Sequence, residues 1–389
     1  MRMFPFLVEA LSAQTIANHP TITSTSLDLL TLLIKGIPSM ILGVNDPFPN
    51  VYTTQVFPRV ISMMLSIELD DVIMQNGQET VKLLMQRDYP GLAQWSDGNY
   101  TGSYYIAQFI LRLLDTQTSE SCAMYVGDLL TKLIQKSSAY GDTKIVEIIP
   151  QLLNALVVRL ETADMPAHIQ QLVLVFCNLI QTDANNVACY LNSYHTASGA
   201  SALQILASKW TSCFTEIQGF YHVKISTIAL TRLYMLSFPP LTQVFVRGDL
   251  IIPVSKRIVT RSVSKKQPDQ WTSVSFYTKV LKLCLWEYEQ QRESKISAMD
   301  VSFDEECEDL DVLDDADVGE CWENFGGEDT FDFSVEGKGD DAEHLEDPVY
   351  NTDLKKHLQE FFGAVRRMDG YNDFSGLTRD EQNIINTAV

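Results

Sequence analysis

The sequence predicts an all-α chain, built as a solenoid of helical pairs. Apolar residues recur at helical spacing almost throughout, a proline-marked segment recurs at a regular interval, and strand-like alternation is scarce before residue 300. Glycine (19) and proline (14) are few in 389 residues, which disfavours β-rich and low-complexity chains. Hydrophobic residues make up 46% of the chain, enough for a large core. A solenoid spreads that core along its length, because each repeat touches only its neighbours.

The elements follow in order. MFPFLVEAL around Pro5 reads as an amphipathic helix and is followed by LDLLTLLIKGI from Leu27. VFPRVISMML around Pro58 is followed by TVKLLMQR from Thr80, and IIPQLLNALVV around Pro150 by QLVLVFCNLI from Gln171. A further pair fits between Tyr104 and Gln135. Proline inside a helix removes one hydrogen bond and bends it, so the first member of each marked pair carries a bend. Pro58 and Pro150 are 92 residues apart, two repeats of 46, which is the period of HEAT repeats. Six to eight pairs fit the chain. Met1 falls directly before a core-facing helix, so the solenoid is expected to be incomplete at its amino-terminal end.

Residues 36–50 and 88–102 are rich in glycine and proline and read as turn-rich connections. Residues 237–273 form a longer, less regular stretch, in which residues 247–266 hold six bases and one acid, Asp249. That stretch has three readings: a nucleic-acid or nuclear-localisation patch, a solvated loop, or an internal partner for acidic residues elsewhere. Phe245 and Trp271 stand only at its edges, which argues against stacking on bases and against direct nucleic-acid binding. Beyond it, Phe276, Val280, Cys284 and Tyr288 step by four, with Tyr277, Leu281 and Leu285 one residue on, so a wide apolar stripe marks one helix.

The net charge of −21 is concentrated. Residues 300–347 hold 21 acids and one base, Lys338, which leaves the rest of the chain near neutrality. Like charges at that density cannot pack together, so residues 299–347 are expected to be a disordered acidic loop. Phe303, Trp322, Phe325, Phe331 and Phe333 are interleaved with the acids, whereas a purely solubilising linker is depleted in aromatics. Acids with aromatics suit basic protein surfaces. The domain reading is therefore helical repeats over 1–298, the acidic loop over 299–347, and closing helices over 348–389. Asp347-Pro348 reads as a helix start. Leu354, Leu358, Phe361 and Val365 share one face, and Thr378 with Glu381 forms a capping box before a last helix held by Ile384 and Ile385.

Catalytic and metal-binding patterns are not found. The six histidines include no pair at metal-ligand spacing, and GxSxG, P-loop and GxGxxG motifs are missing. His195 beside Tyr194 is the one candidate general base, and a surface histidine explains it as well. Aligning Gly319 with the central glycine of a calcium loop puts Ala316, Val318 and Phe325 where oxygen ligands are needed, so no defined calcium site is expected. No cofactor is expected. The seven cysteines are odd in number and include no CxxC, and they read as reduced core residues. No run of 18 apolar residues occurs, so no membrane insertion is expected.

The region after residue 245 carries a family resemblance. The run VRGDLIIPVSKRIVTRSVSKKQPDQWTSVSFYTKVLKL, with Thr260-Arg261-Ser262, Pro268 and Trp271-Thr272, resembles the carboxy-terminal repeats of the importin-β (karyopherin) superfamily. The acidic insertion with Trp322-Glu323, Asp347-Pro348-Val349-Tyr350 with Asp353-Leu354, and Phe374-Ser375-Gly376 continue the likeness. The resemblance implies a right-handed HEAT-repeat superhelix and a nuclear import receptor that shuttles between cytoplasm and nucleus. It implies contacts with nucleoporins and control by the GTPase Ran, whose main binding repeats would lie outside this chain. It also implies basic cargo such as core histones and ribosomal proteins. The residues expected to hold that cargo collectively are Asp304, Glu305, Glu306, Glu308, Asp309, Asp311, Asp314, Asp315, Asp317, Trp322 and Glu323. The alternative is a histone chaperone-like or scaffold protein without transport activity.

Overall fold

Helices pair and then stack in alternation. The computed structural model describes residues 4–36, 49–66, 70–251, 270–301, 347–368 and 374–387. The first repeat holds α1 (Phe4–Ala10), α2 (Ala13–Asn18) and α3 (Pro20–Lys35). The second holds α4 (Phe57–Ser66), entered through a π-helical stretch Pro49–Val56, and α5 (Asp71–Gln94). Then follow α6 (Gly102–Leu114) with α7 (Val126–Tyr140), α8 (Thr143–Thr162) with α9 (Pro166–Ser193), and α10 (Ala202–Cys213) with α11 (Phe220–Met235). A sixth pair is α12 (Phe276–Val301) with α13 (Leu354–Val365), and α14 (Arg379–Thr387) packs on α12.

Second members form one layer, α3 on α5 on α7 on α9 on α11 and then α13. First members form the other, α4 on α6 on α8 on α10 on α12. The core is a continuous sheet of apolar side chains between the layers, with Phe57, Phe109, Phe176, Trp210, Tyr234, Phe276 and Phe362 among its largest fully buried members. This is the HEAT-type solenoid expected from the spacing of Pro58 and Pro150. The repeat reappears in the bonds that stitch neighbouring pairs. Gln78 Nε2 donates to the Cys122 carbonyl 44 residues on, Lys82 Nζ reaches Asp128 46 residues on, and Gln170 Nε2 donates to the Gln218 carbonyl 48 residues on.

In the first-member layer, three stitches are cations reaching backwards. Arg112 on α6 donates to the Met64 carbonyl on α4, Arg159 on α8 to the Asp115 carbonyl after α6, and Lys209 on α10 to the Ala163 carbonyl after α8. The last carbonyls of a helix lack intrahelical partners and carry its negative dipole end, so a cation is well matched to them.

Two long helices bend where an aspartate interrupts them. Asp88 in α5 (φ −148°, ψ 55°) accepts the Gly91 amide, and Asp183 in α9 (φ −153°, ψ 87°) accepts the Asn186 amide. Each aspartate caps the continuation of its own helix. Residues 88–102 are therefore not a loop throughout, because α5 resumes after the bend and runs to Gln94.

The all-α expectation holds with one exception among the described residues, a two-stranded sheet. Strands β1 (Phe245–Leu250) and β2 (Trp271–Ser275) form an antiparallel ribbon between α11 and α12, with Phe245 opposite Ser275 and Val246 opposite Val274. Each strand is short, and only Val246 and Gly248 of β1 are buried.

α9, 28 residues long, has the length and composition to cross a bilayer even though no run of 18 apolar residues exists. Here its apolar residues pack against α7, α8, α10 and α11, and Asp183 bends it. Within the second-member layer, α7 and α9 approach closely at Gly127, where a Cβ would lie 2.0 Å from the Gln171 carbonyl oxygen on α9. Gly127→Ala is expected to destabilise the protein by about 1–3 kcal/mol, because backbone cannot rotate aside. A thermal melt checks this, and an unchanged midpoint would contradict the close approach.

Candidate functional site

The predicted cargo residues Asp304, Glu305, Glu306, Glu308, Asp309, Asp311, Asp314, Asp315, Asp317, Trp322 and Glu323 all lie outside the described residues. What the structure gives is the frame that holds their segment. Upstream is α12, where Phe276, Val280, Cys284 and Tyr288 are buried together with Tyr277, Leu281 and Leu285, the stripe expected from their spacing. Downstream is α13, where Leu354, Leu358, Phe361 and Val365 are buried on one face as expected. Because α12 and α13 are partners in one pair, residues 302–346 are an insertion within a single repeat.

The return from the insertion is fastened to α11. Tyr221 Oη donates to Asp347 Oδ2 at 2.6 Å, and Lys224 Nζ donates to the Tyr350 carbonyl at 2.6 Å. The Lys224 ammonium lies 4.5 Å from the Phe220 ring centroid and 5.8 Å from that of Tyr350. Burial lowers the Lys224 pKa, and the charges of Asp353 and Asp347 oppose that shift. Two turns further along α11, Thr231 Oγ1 and His357 Nε2 are 2.8 Å apart, and burial lowers the His357 pKa. Asp347 is not the helix cap it was expected to be. It accepts the Val349 amide at 2.7 Å within a turn, and the cap of α13 is Asp353, which accepts the Lys356 amide at 3.1 Å. Proline directly after Asp347 made that site look like a helix start, but the chain makes one turn first. The second capping prediction holds, since Thr378 Oγ1 accepts the Glu381 amide and Glu381 Oε2 accepts the Thr378 amide.

Lys224→Met is expected to release this fastening, with faster amide exchange over residues 347–357 and little change in helix content. Exchange equal to that of the wild type would show that Tyr221 and Thr231 suffice.

The ribbon brings together residues that the sequence leaves far apart. The Arg247 guanidinium lies 3.5 Å from the Trp271 ring centroid, and Phe245, Leu250, Ile251 and Trp271 are all exposed. Lys282 Nζ pairs with Asp249 at 2.6 Å beside Glu381 at 3.8 Å. Burial lowers the Lys279 pKa, and the neighbouring charges of Lys282 and Arg247 add to that, against Asp249.

Other polar groups have structural places. His195 sits in an exposed turn with Nδ1 3.3 Å from the Ser193 carbonyl, and Tyr194 stacks on Tyr190. His168 is buried against Arg159. A shallow cleft between α6 and α8, with Leu111, Leu114, Ala155 and Val158 in its walls, gathers no nucleophile–base pair. No group of three or more metal-ligating side chains occurs among the described residues.

The fold and the framed acidic insertion define a class, a HEAT-type α-solenoid with a charged segment inside one repeat. No protein-family model matches the chain. Importin subunit beta-5 of Schizosaccharomyces pombe is 30% identical over 373 residues, covering 95% of this chain and 35% of that protein. Importin subunit beta-5 of Saccharomyces cerevisiae is 28% identical over 283 residues, 72% of this chain and 26% of that protein. Importin-9 of Drosophila melanogaster is 23% identical over 375 residues, 94% of this chain and 35% of that protein. The chain belongs to the importin-β (karyopherin) superfamily. It spans about a third or less of the length of these curated relatives.

Proposed function

We propose that this chain is the carboxy-terminal portion of a nuclear import receptor and that its acidic insertion binds basic cargo. The observation that carries the reading is the placement of a −18 segment within one repeat, with α12 before it and the Asp347–Tyr221 and Tyr350–Lys224 contacts after it. A segment held at both ends presents its charge from a fixed place on the solenoid. The similarity to importins supplies the transport context.

Core histones and ribosomal proteins have the required chemistry, dense lysine and arginine on exposed tails. The main Ran-binding repeats are assigned to the part of the receptor outside this chain, and nucleoporin contacts and shuttling between cytoplasm and nucleus belong to the whole receptor. Neither direct nucleic-acid binding nor catalysis is part of the reading. A pull-down tests it, with purified core histones and Ran–GTP presented to this chain and to a longer receptor. The chain alone is expected to retain histones and not Ran–GTP, and the longer receptor to bind both and to release histones as Ran–GTP is added. Failure of this chain to retain histones would refute the cargo assignment.

A further inference from the structure

We propose that the outer face of the β1–β2 ribbon is a docking surface for the chain's own acidic segment, residues 302–346. The face combines a cation with exposed apolar groups: Arg247 over Trp271, flanked by Phe245, Leu250 and Ile251. At its base, Lys279 stands close enough to both Lys282 and Arg247 to feel their charges, with Asp249 and Glu381 as the carboxylates facing Lys282.

Cations beside uncovered aromatics fit a partner with many carboxylates and some rings. The chain supplies one. Residues 302–346 hold 19 acids and one base, with Phe303, Trp322, Phe325, Phe331 and Phe333 among them. Within the same repeat the ribbon leads directly into α12, and the acidic segment follows the far end of that helix. The 26 residues of α12 span about 39 Å at 1.5 Å per residue, whereas 45 residues reach up to about 150 Å when extended. The segment can therefore return to the ribbon. A tether of this kind holds the two at an effective concentration of about the millimolar range, well above that of a free acidic partner at ordinary protein concentration. One consequence depends on the cargo reading: basic cargo and the ribbon compete for the same acids, so cargo binding would free the ribbon face.

The experiment is amide hydrogen exchange on β1 and β2. The full chain is compared with a variant whose residues 302–346 are replaced by a neutral linker of equal length, each at low and high salt. In the full chain at low salt the ribbon amides are expected to exchange about five-fold more slowly than in the variant, with the difference lost at high salt. Arg247→Glu in the full chain should abolish the slowing without changing helix content. Equal exchange in both proteins would overturn the docking, as would slowing that increases with protein concentration, which would point to a second copy as the occupant. Histone affinity measured on the same pair of proteins keeps the two proposals apart. Histone binding that falls with the linker while ribbon exchange stays the same would overturn the docking and leave the cargo reading in place.

Discussion

Neutralising Asp304, Glu305, Glu306, Glu308, Asp309, Asp311, Asp314, Asp315 and Asp317 together is expected to weaken histone binding by at least about twenty-fold at physiological salt. Each exposed ion pair contributes only about 0.2–1 kcal/mol, so nine pairs at the low end give about 2 kcal/mol. By the same reasoning Asp314→Asn alone should cost no more than about five-fold. On the cargo reading the attraction is long-ranged, and exposed charges are screened over about 8 Å at physiological ionic strength. The affinity of the unaltered chain should therefore fall steeply with salt, and that of the neutralised variant should fall much less. Any cargo contact made by the ordered helices would persist in both. Titrations of both proteins at two salt concentrations decide the matter. Equal affinity with equal salt dependence would reduce the insertion to a solubilising linker.

The repeat was legible because its signal is local and recurs. Apolar residues four apart place Phe276, Val280, Cys284 and Tyr288 on one face whatever the neighbouring helices do, and Pro58 and Pro150 mark the same register two repeats apart. The cation ladder was also present in the spacing, since Arg112, Arg159 and Lys209 are 47 and 50 residues apart. Each lies in an amphipathic helix among other polar residues, so periodicity does not single it out. What the sequence concealed depends on distant partners. Tyr221 and Lys224 meet Asp347 and Tyr350, each pair 126 residues apart, across the acidic insertion. Trp271 and Arg247 stood at opposite edges of a basic stretch until strand pairing made them neighbours. At Asp88 the following Pro90 and Gly91 made the helix look finished, although the aspartate restarts the helix it breaks.

These placements separate two jobs within the last described repeats. The apolar stripes of α12 and α13 close the solenoid, and a charged insertion there costs the core nothing because the chain leaves between helices. Loop-closure entropy grows only slowly with length, so 45 residues are nearly as tolerable as a short connection. The cost is met locally, where the chain must return in register. That is where the Tyr221, Lys224 and Thr231 contacts lie.

The largest stability loss is expected from Arg159→Leu. The guanidinium is 3% exposed and makes three contacts: Nη1 to the Asp115 carbonyl at 3.1 Å, Nη2 to the Thr118 carbonyl at 2.8 Å, and Nε to His168 Nε2 at 3.1 Å. Leucine restores apolar volume but strands the helix-end carbonyls and the imidazole, and removing a buried charged donor costs about 3–5 kcal/mol. Lys209→Met removes a single carbonyl contact and should cost about 1–2 kcal/mol. The two variants also differ in their response to acid. Since Nε2 of His168 accepts from Arg159, the neutral ring carries its proton on Nδ1, which is buried without a hydrogen-bond partner among the described residues. Burial first, and the Arg159 charge second, lower the His168 pKa to about 4. A base whose pKa is depressed in the folded state contributes fully above its unfolded value of about 6.5. That contribution is lost as pH falls toward about 4, a loss of about 3 kcal/mol. Arg159→Leu removes the second cause, so the His168 pKa should rise toward its ordinary value and the variant should lose less stability on acidification than the unaltered chain. Melting midpoints at neutral pH and at two acidic values measure both effects. A variant as stable as the parent at neutral pH would refute the role of Arg159 as a stitch between repeats, and an equally steep acid response would remove Arg159 from the control of His168.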